Sequence, residues 1–307
     1  MLPFTLQQLR ILKAVAMEEN FTKAAEGLYL SQPALSKQLQ VLEKNFDSFL
    51  VDRENNKIFL TENGQILLEY SERILALCEE SCRTLIDLKN GDRGNLTIGT
   101  SQTTGTYLMP RILALFNQTY PQMSFKVRVD STRFIINKVI NKEIDIAIVG
   151  GEIPSELKKD LQIQTFINDE LNLIVPVTNH FIKKQKITKE DLYNLNFITL
   201  NSNSTIRMFI DKILVKNKID VNQLNIRMEL NSIEGIKTAV SVGLGASFVS
   251  SFAIEKEIKL NTIKIVDIEG LKIRRKLSIV SNLECYKSKA FNFFYQELIR
   301  LKASIED

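Results

Sequence analysis

The chain has 307 residues, of which 44% are hydrophobic and 25% charged, and its formal net charge is +4. These values are typical of an ordinary soluble globular protein with two or three domains. No apolar run reaches the roughly 20 residues of a membrane helix, no secretory or transit peptide is recognisable, and three cysteines make neither a disulfide framework nor a metal site.

Three short helices are predicted within the first 44 residues. Leucine and valine recur every three residues from Leu6 to Val15, which indicates an amphipathic first helix that Thr5 can cap. Asn20 interrupts this pattern, and Thr22 can cap a second helix that ends near Leu28. Small alanines on this second helix allow a neighbouring helix to approach closely.

The third helix is predicted to have one apolar and one polar face. Ser31 is a favourable N-cap residue, and Pro33 falls in the first turn, where a missing N–H costs little. Leucines at 35, 39 and 42 form the buried face, and the opposite face is polar. The second and third helices therefore match a helix-turn-helix, in which a tight turn joins two helices. The second of the two places its free polar face in the DNA major groove.

Residues on this polar face and on a hairpin that follows it are predicted to contact DNA. Glutamine amides and a serine hydroxyl can hydrogen-bond to base edges, and a proline can touch a thymine methyl group. Lysine and arginine are expected to hold phosphates. The candidate DNA-binding residues are Thr22, Ser31, Gln32, Pro33, Ser36, Lys37, Gln40, Arg53 and Lys57. The alternative is three amphipathic helices that only pack against one another.

A wing and a long helix are predicted next. Leu50–Arg53 and Lys57–Leu60 read as two strands around a polar turn, and Thr61 can cap a helix from Glu62 to Asn90. Along this helix one row of residues recurs at intervals that alternate between four and three. This is the spacing of a coiled-coil seam, and it predicts dimerisation. The predicted seam comprises Leu67, Ser71, Ile74, Cys78, Ser81, Leu85 and Leu88.

An α/β pattern begins after a glycine-containing break at residues 91–94. Strand and helix patterns alternate from NLTIGT to DIAIVG, and this βαβαβ series predicts a parallel sheet with right-handed crossovers. Further strands are predicted at ELNLIVPV, NFITLN, ASFVS and KLSIVSN, and further helices at STIRMFIDKILVKN, SIEGIKTAVSVG and SKAFNFFYQELIRLKAS. The predicted domains are a winged helix-turn-helix at 1–60, a linker and dimerisation helix at 61–91, and an α/β domain at 92–307.

Two polar loops of the α/β domain are predicted to bind a ligand. Residues 100–104 and 201–205 each follow a strand and precede a helix, and open parallel sheets bind ligands, anions in particular, at such positions. The candidate residues are Ser101, Gln102, Thr103, Thr104, Arg133, Gly150, Asn201, Ser202, Asn203 and Arg207. Either arginine is a candidate charged clamp or a surface residue, and the loops could instead only cap helices.

From residue 1 to about 300 the chain resembles the LysR-type transcriptional regulators. The resemblance lies in FTKAAEGLYLSQPALSKQLQVLEK, in the wing DRENNKIFLTENG, and in the order of helix, linker helix and α/β sensor domain. The sequence departs from the family at Asp47, where glycine is usual, at Val51, where phenylalanine is usual, and at Asn56, where a second wing arginine is common.

Within that family, three segments are most similar to the regulators of rubisco operons in photosynthetic bacteria and algal plastids. They are TIGTSQTTGTYLMPRILALFNQTYPQ, the glycine pair at 150–151 and SVGLGASFVS. The resemblance implies an effector-binding domain of periplasmic-binding-protein type, with subdomain I at about 92–166 and 269–307 and subdomain II at about 167–268. It also implies a small-molecule effector, which could be a sugar phosphate, a related acid or NADPH.

The resemblance further implies a double-stranded DNA operator, a homodimer or homotetramer, and RNA polymerase as an additional candidate partner, with no membrane association. Richness in isoleucine, lysine and asparagine suits an AT-rich genome, and therefore either a plastid stroma or the cytoplasm of a low-GC bacterium.

The expected function is a metabolite-responsive regulator of a rubisco operon. A LysR-type regulator of another metabolic operon in a low-GC bacterium is the nearest alternative. A solute-binding protein, or an enzyme with an accessory DNA-binding domain, is disfavoured. The chain has a single histidine, no nucleophile elbow and no metal cluster, so neither catalytic residues nor a cofactor are predicted.

Overall fold

The structure is a computed structural model that describes residues 2–54, 57–90, 94–178 and 186–306. The side chains of residues 53, 54, 57, 83, 86–90 and 303–306 lie outside this description. The chain divides into two compact units, Met1–Lys89 with Asn141–Glu143 and Asn90–Ile140 with Ile144–Asp307. Within the described ranges, no helix is both long enough and apolar enough to cross a bilayer.

The first unit is a winged three-helix fold with one apolar core. Its elements are α1 (Leu6–Glu18), α2 (Phe21–Gly27), α3 (Gln32–Phe46), the antiparallel strands β1 (Val51–Glu54) and β2 (Lys57–Leu60), and α4 (Glu62–Asn90). The buried faces of α1, α2 and α3 meet in a core that Leu50 and Ile58 of the wing complete. The predicted buried face of α3 is therefore confirmed.

Capping side chains set where these helices begin. Thr5 forms a capping box with Gln8 at the start of α1, as predicted for Thr5. The start of α2 differs from the prediction, because the Asn20 side chain accepts the N–H groups of Thr22 and Lys23 at 2.9 and 3.1 Å. Asn20 interrupts the apolar pattern because it is itself the cap, so the capping role predicted for Thr22 was wrong.

The apolar surface of α4 differs from the predicted seam. Leu67 packs against the core of the first unit and Ser71 is fully buried, so neither is free to pair with a second helix. Another row takes steps of four, four and three residues from Ile66 to Leu77 and reaches Leu85 after eight more. We call it the α4 stripe, and it consists of Ile66, Tyr70, Ile74, Leu77 and Leu85, all of them exposed except the half-buried Ile74.

The second unit is an α/β fold. Its strands are β3 (Asn95–Thr100), β4 (Ser124–Val129), β5 (Ile146–Gly150), β6 (Leu161–Pro176), β7 (Lys186–Ile187), β8 (Asn196–Leu200), β9 (Asn225–Leu230), β10 (Ser247–Ser250), β11 (Ile263–Ile268) and β12 (Ile273–Asn282). Its helices are α5 (Met109–Thr119), α6 (Thr132–Ile140), α7 (Thr205–Lys216), α8 (Ile233–Ser241), α9 (Ser251–Lys259) and α10 (Lys289–Glu306). A π-helical turn, Thr104–Leu108, precedes α5, and short 3-10 turns occur at Ser155–Leu157, Glu190–Asn194 and Val221–Gln223.

Subdomain I contains the predicted βαβαβ series. β3 pairs in parallel with both β4 and β5, which confirms the parallel sheet. Helices α5 and α10 cover one face of this sheet in a core rich in phenylalanine, and α6 covers the other face. Because α10 lies at the far end of the chain, subdomain I is built from two separate stretches of sequence.

Two long antiparallel strands pass from subdomain I into subdomain II. β12 pairs along its whole length with Leu161–Leu171 of β6, in a sheet of order β4-β3-β5-β12-β6-β11-β7 in which β10 also pairs with β6. Ile167 and Leu277 belong to the core of subdomain I, whereas Leu171 and Ile273 belong to that of subdomain II. The chain therefore crosses between the subdomains at residues 168–170 and 274–276.

Subdomain II has helices on both faces of its strands. Helix α7 packs with one apolar core, and α8 and α9 pack with another. The parallel pair β8 and β9 joins the chain before β10 through a bridge between Phe197 and Ala246. Sequence patterns predicted β8, β10, α7 and α8 but did not indicate β7, β9, β11 or α9.

Candidate nucleic-acid interface and effector cleft

The polar face of α3 forms a continuous exposed ridge. Its residues are exposed, apart from the half-buried Ser36, and Thr22 on α2 is exposed as well. We call this surface the α3 ridge, and it consists of Ser31, Gln32, Pro33, Ser36, Lys37 and Gln40. Gln32 Nε2 donates to Ser36 Oγ at 3.0 Å, which aligns two of the predicted base-reading side chains one turn apart. The ridge can thus enter a groove without any rearrangement of the core.

An open groove of about 640 Å³ lies between α3 and the wing. Ser36 and Gln40 line one side of it, and the exposed Phe49 lies near its rim. Glu43 also lines the groove, and its Oε1 accepts the N–H groups of Leu50 and Val51 at 2.9 and 3.3 Å, which fastens the wing to α3. The predicted wing contacts, Arg53 and Lys57, have side chains outside the described residues.

Asp47 shows why this position favours glycine. It ends α3 with φ 47° and ψ 43°, in the left-handed region that residues with a β-carbon adopt less easily than glycine does. Val51, at the second departure, is a half-buried member of the core of the first unit. Asn56, at the third, lies outside the described residues.

A cleft of about 370 Å³ lies between subdomains I and II, at the ends of strands and the starts of helices. Both predicted loops contribute to it, so they do face each other. Its lining comprises Ser101, Gln102, Val129, Asp130, Ser131, Thr132 and Gly150 from subdomain I, Asn203, Ser204, Thr205 and Ile206 from subdomain II, and Arg275 from β12. Hydroxyl, amide and backbone groups at this position suit a small polar ligand.

The predicted ligand residues divide into three groups. Ser101, Gln102, Gly150 and Asn203 line the cleft. Thr103 and Thr104 are buried beneath it, where the Thr104 and Ser101 hydroxyl oxygens lie 3.1 Å apart. Asn201, Ser202, Arg133 and Arg207 are outside the lining.

Both arginines proposed as clamps are engaged elsewhere. The Arg207 guanidinium donates from Nε to Asp211 at 2.7 Å and from Nη1 to Thr199 at 2.5 Å. Arg133 is largely exposed, and its nearest carboxylate is that of Glu156 at 3.9 Å. Neither side chain lines the cleft.

Arg275 lines the cleft, and it was not among the residues predicted to bind a ligand. Nε donates to Asp169 Oδ2 at 2.7 Å and Nη2 donates to Thr103 Oγ1 at 3.1 Å. Ser250 Oγ donates to the other Asp169 oxygen at 2.6 Å. Alternation along β12 could have revealed it, because positions 273, 275, 277 and 279 share the buried face and only position 275 is charged.

Helix starts add positive polarity to the cleft. Ser204, the N-cap residue of α7, makes no hydrogen bond from its side chain to the helix, and neither does Thr103 before the π-helical turn. Backbone N–H groups in such first turns favour negatively charged ligands.

Polar contacts connect the two subdomains beside the cleft. Gln102 Nε2 donates to the Asn231 carbonyl at 3.3 Å, and Arg111 makes two hydrogen bonds to Glu255, at 2.7 and 2.6 Å. Tyr107 donates to Glu234 at 2.7 Å. Burial and this hydrogen bond raise the pKa of Tyr107 far above its usual value, so the hydroxyl stays a donor.

Both units match models of known families. Residues 6–65 match "Bacterial regulatory helix-turn-helix protein, lysR family", and residues 89–302 match "LysR substrate binding domain". A "Probable RuBisCO transcriptional regulator" of Phaeodactylum tricornutum is 68% identical over 307 residues and all of both chains. A protein of the same name from Gracilaria tenuistipitata var. liui is 54% identical over 98% of this chain and 97% of its own.

Two solved structures share the fold. Full-length CbnR complexed with its target DNA aligns with a TM-score of 0.70 at 20% identity, over 97% of this chain and 99% of CbnR. The regulatory domain of CcmR from Synechocystis PCC6803, in complex with 2-PG, aligns with a TM-score of 0.61 at 26% identity, over 68% of this chain and 97% of that domain.

Proposed function

The chain belongs to the LysR family of transcriptional regulators, and on that premise we propose that it controls a rubisco operon in response to a small metabolite. The observation that carries this proposal is full-length similarity, at 68% identity, to a relative named as a RuBisCO transcriptional regulator. Relatives with that name come from algae, which supports a plastid stroma as the site of action.

In the proposed mechanism the α3 ridge enters the major groove of an operator. Gln32, Ser36 and Gln40 read base edges, and Lys37 holds a phosphate. The exposure of these side chains and the buried opposite face of α3 support this assignment. Glu43 and Asp52 line the groove itself, so phosphate contacts are assigned outside it, to Lys37 and to the wing residues Arg53 and Lys57.

Dimerisation is assigned to the α4 stripe. Its exposed apolar side chains lie along one side of a 29-residue helix, and pairing with a second copy would bury them. A dimer presents two α3 ridges to two operator half-sites. A tetramer, and contact with RNA polymerase, would extend the same assembly.

The cleft between subdomains I and II is the proposed effector site. Its polar lining and the 2-PG complex of the similar CcmR domain support a small acidic metabolite. An effector that binds one arrangement of the subdomains more tightly shifts the protein toward it, and by linkage changes operator affinity.

Replacement of Ser36 by glutamate tests the DNA-binding surface. A carboxylate in the α3 ridge would face phosphates and base acceptors, so affinity for the DNA upstream of the rubisco operon should fall at least about tenfold. Gel retardation measures this loss. Ser155→Glu is the matched control, because Ser155 is an exposed serine of the second unit, and its affinity should be unchanged. If Ser36→Glu retards this DNA as strongly as the native chain does, the α3 ridge is excluded as the recognition surface.

A further inference from the structure

Arg275 combines deep burial with access to the cleft. Its side chain is 1% exposed and that of Asp169 is 0% exposed, and the two residues are direct partners across β12 and β6. We propose that Arg275 binds the acidic group of the effector and that this binding weakens its ion pair with Asp169. The inference rests on the proposed function, because it takes the cleft to be the effector site.

The Nη1 edge of the guanidinium lies against Gly150. Arginine has five N–H donors, and Nε and Nη2 are committed to Asp169 and Thr103. Within the described part of the chain, Nη1 donates no hydrogen bond. A β-carbon at Gly150 would lie 3.1 Å from Nη1, so the glycine keeps this edge open. Since Gly150 and Arg275 both line the cleft, Nη1 is the donor that the proposal assigns to a ligand there.

The surrounding groups define the class of ligand. The uncapped start of α7 and the hydroxyls of Ser101 and Thr205 favour a phosphate or carboxylate next to Arg275. Asp130 also lines the cleft, and its carboxylate opposes a bare anion but can accept hydrogen bonds from hydroxyl groups. The expected effector is therefore a small hydroxylated compound with one acidic end, such as a sugar phosphate or a hydroxy acid.

The ion pair lies where the chain crosses between the subdomains. Thr103 of subdomain I accepts from Arg275, and Asp169 accepts from Ser250, which caps α9 of subdomain II through the Phe252 N–H. An effector anion that binds Arg275 competes with Asp169 for the positive charge of the guanidinium. The same event that binds the effector thereby loosens a link between the subdomains.

The proposal predicts that removing the charge of Asp169 strengthens anion binding. An ion pair with only a structural role would not produce this effect. Binding linkage is reciprocal, so weakening the attraction of Asp169 for Arg275 must strengthen binding of an external anion. Asp169→Asn keeps the shape and an acceptor oxygen but removes the competing charge. It should lower the half-saturating phosphate concentration about fivefold.

The test uses the full-length chain and inorganic phosphate as the probe. The thermal unfolding temperature is measured against phosphate concentration, with sodium chloride at equal ionic strength as the reference. The native chain should show a saturable rise, Arg275→Gln should lose it, and Asp169→Asn should reach saturation at lower phosphate. Arg133→Gln, which removes an exposed arginine outside the cleft, should behave as the native chain. If Arg275→Gln fails to fold, Arg275→Gln/Asp169→Asn replaces it, since that pair buries no unpaired charge.

The inference is overturned if phosphate leaves the native unfolding temperature unchanged, if the response survives loss of Arg275, or if Asp169→Asn binds phosphate no better than the native chain. Gel retardation on the same proteins separates this result from the proposed function. If the native chain binds the operator but shows no phosphate response, only the proposed anion site is excluded. If it shows a phosphate response but does not bind the operator, the proposed function is excluded and the anion site is retained.

Discussion

Gly64 allows β1 to approach the first turn of α4. A β-carbon at this position would lie 2.0 Å from the Leu50 carbonyl oxygen, which also accepts the Thr61 N–H at 3.1 Å. Because the obstructing atom belongs to the backbone, no side-chain rotation can relieve the clash. This one residue therefore sets the distance between the wing and α4.

We expect Gly64→Ala to destabilise the first unit by about 1–3 kcal/mol, the usual cost of overpacking a close contact. Chemical denaturation followed by circular dichroism measures the change. Gly27→Ala is the matched control, since nothing lies within 4 Å of a β-carbon there, and its free energy of unfolding should be equal or higher. Equal stability of Gly64→Ala and the native chain would mean that the wing does not need this close approach.

At the scale of single residues, the sequence predicts what depends on nearest neighbours along the chain. Thr5 and Ser31 cap their helices as predicted, since a cap acts over three residues. Arg275 could not be assigned to the cleft, because Thr103 and Asp169, its two partners, are more than 100 residues away in the chain. Its burial is readable from strand alternation, but its place in a ligand site is not.

The contact between α5 and α9 connects the two subdomains through charge. The pKa of Glu255 lies below the ordinary value of 4.5, chiefly because Arg111 donates two hydrogen bonds to it. The positive charge of Arg111 makes a smaller contribution in the same direction. A carboxyl with a lowered pKa in the folded state stabilises that state above about pH 4.5. This stabilisation is lost as the pH falls through the lower folded value.

We therefore expect Glu255→Gln to be less stable than the native chain at pH 6, by up to about 1 kcal/mol because both side chains are partly exposed. The difference should shrink toward zero as the pH approaches 3. Urea denaturation across this pH range measures it. Glu156→Gln serves as the control, since that carboxylate only approaches Arg133 at 3.9 Å and its removal should change stability less. A difference that is constant with pH would contradict the assigned charge contact.

At the scale of elements, burial decides what the sequence reveals. β3, β5 and the helices between them carry long apolar patterns, and they were predicted correctly. β9 was missed although Ile226, Met228 and Leu230 alternate with polar residues along it; it pairs only with β8, and its side chains are mostly exposed. The polar first half of β6 was missed because Gln162, Gln164 and Thr165 interrupt its apolar pattern.

At the scale of the whole molecule, a substitution in the α4 stripe tests the proposed dimerisation. Leu77 is 55% exposed at its centre, and a glutamate there would place a charge in the proposed helix pairing. We expect Leu77→Glu to weaken self-association at least about tenfold and to weaken operator binding with it, since burial of an unpaired charge opposes association. Sedimentation velocity and gel retardation measure the two effects.

Leu283→Glu is the matched control, because Leu283 is 56% exposed in the second unit and lies outside the α4 stripe. A Leu77→Glu protein that sediments as the native chain does would exclude the stripe as the dimer contact. The predicted seam shares only Ile74 and Leu85 with the stripe, because a repeat of four and three could not show that Leu67 and Ser71 turn toward the same chain.

The split of subdomain I between two stretches of sequence governs the order in which a nascent chain can fold. Subdomain II is one continuous segment and can complete its cores soon after translation has passed Ile273 at the start of β12. Subdomain I must wait, because α10 supplies Phe291, Phe294, Leu298 and Leu301 to its core. Until the ribosome releases that helix, the matching apolar surface of the βαβαβ layer stays open, and chaperones would find their binding surface there during synthesis.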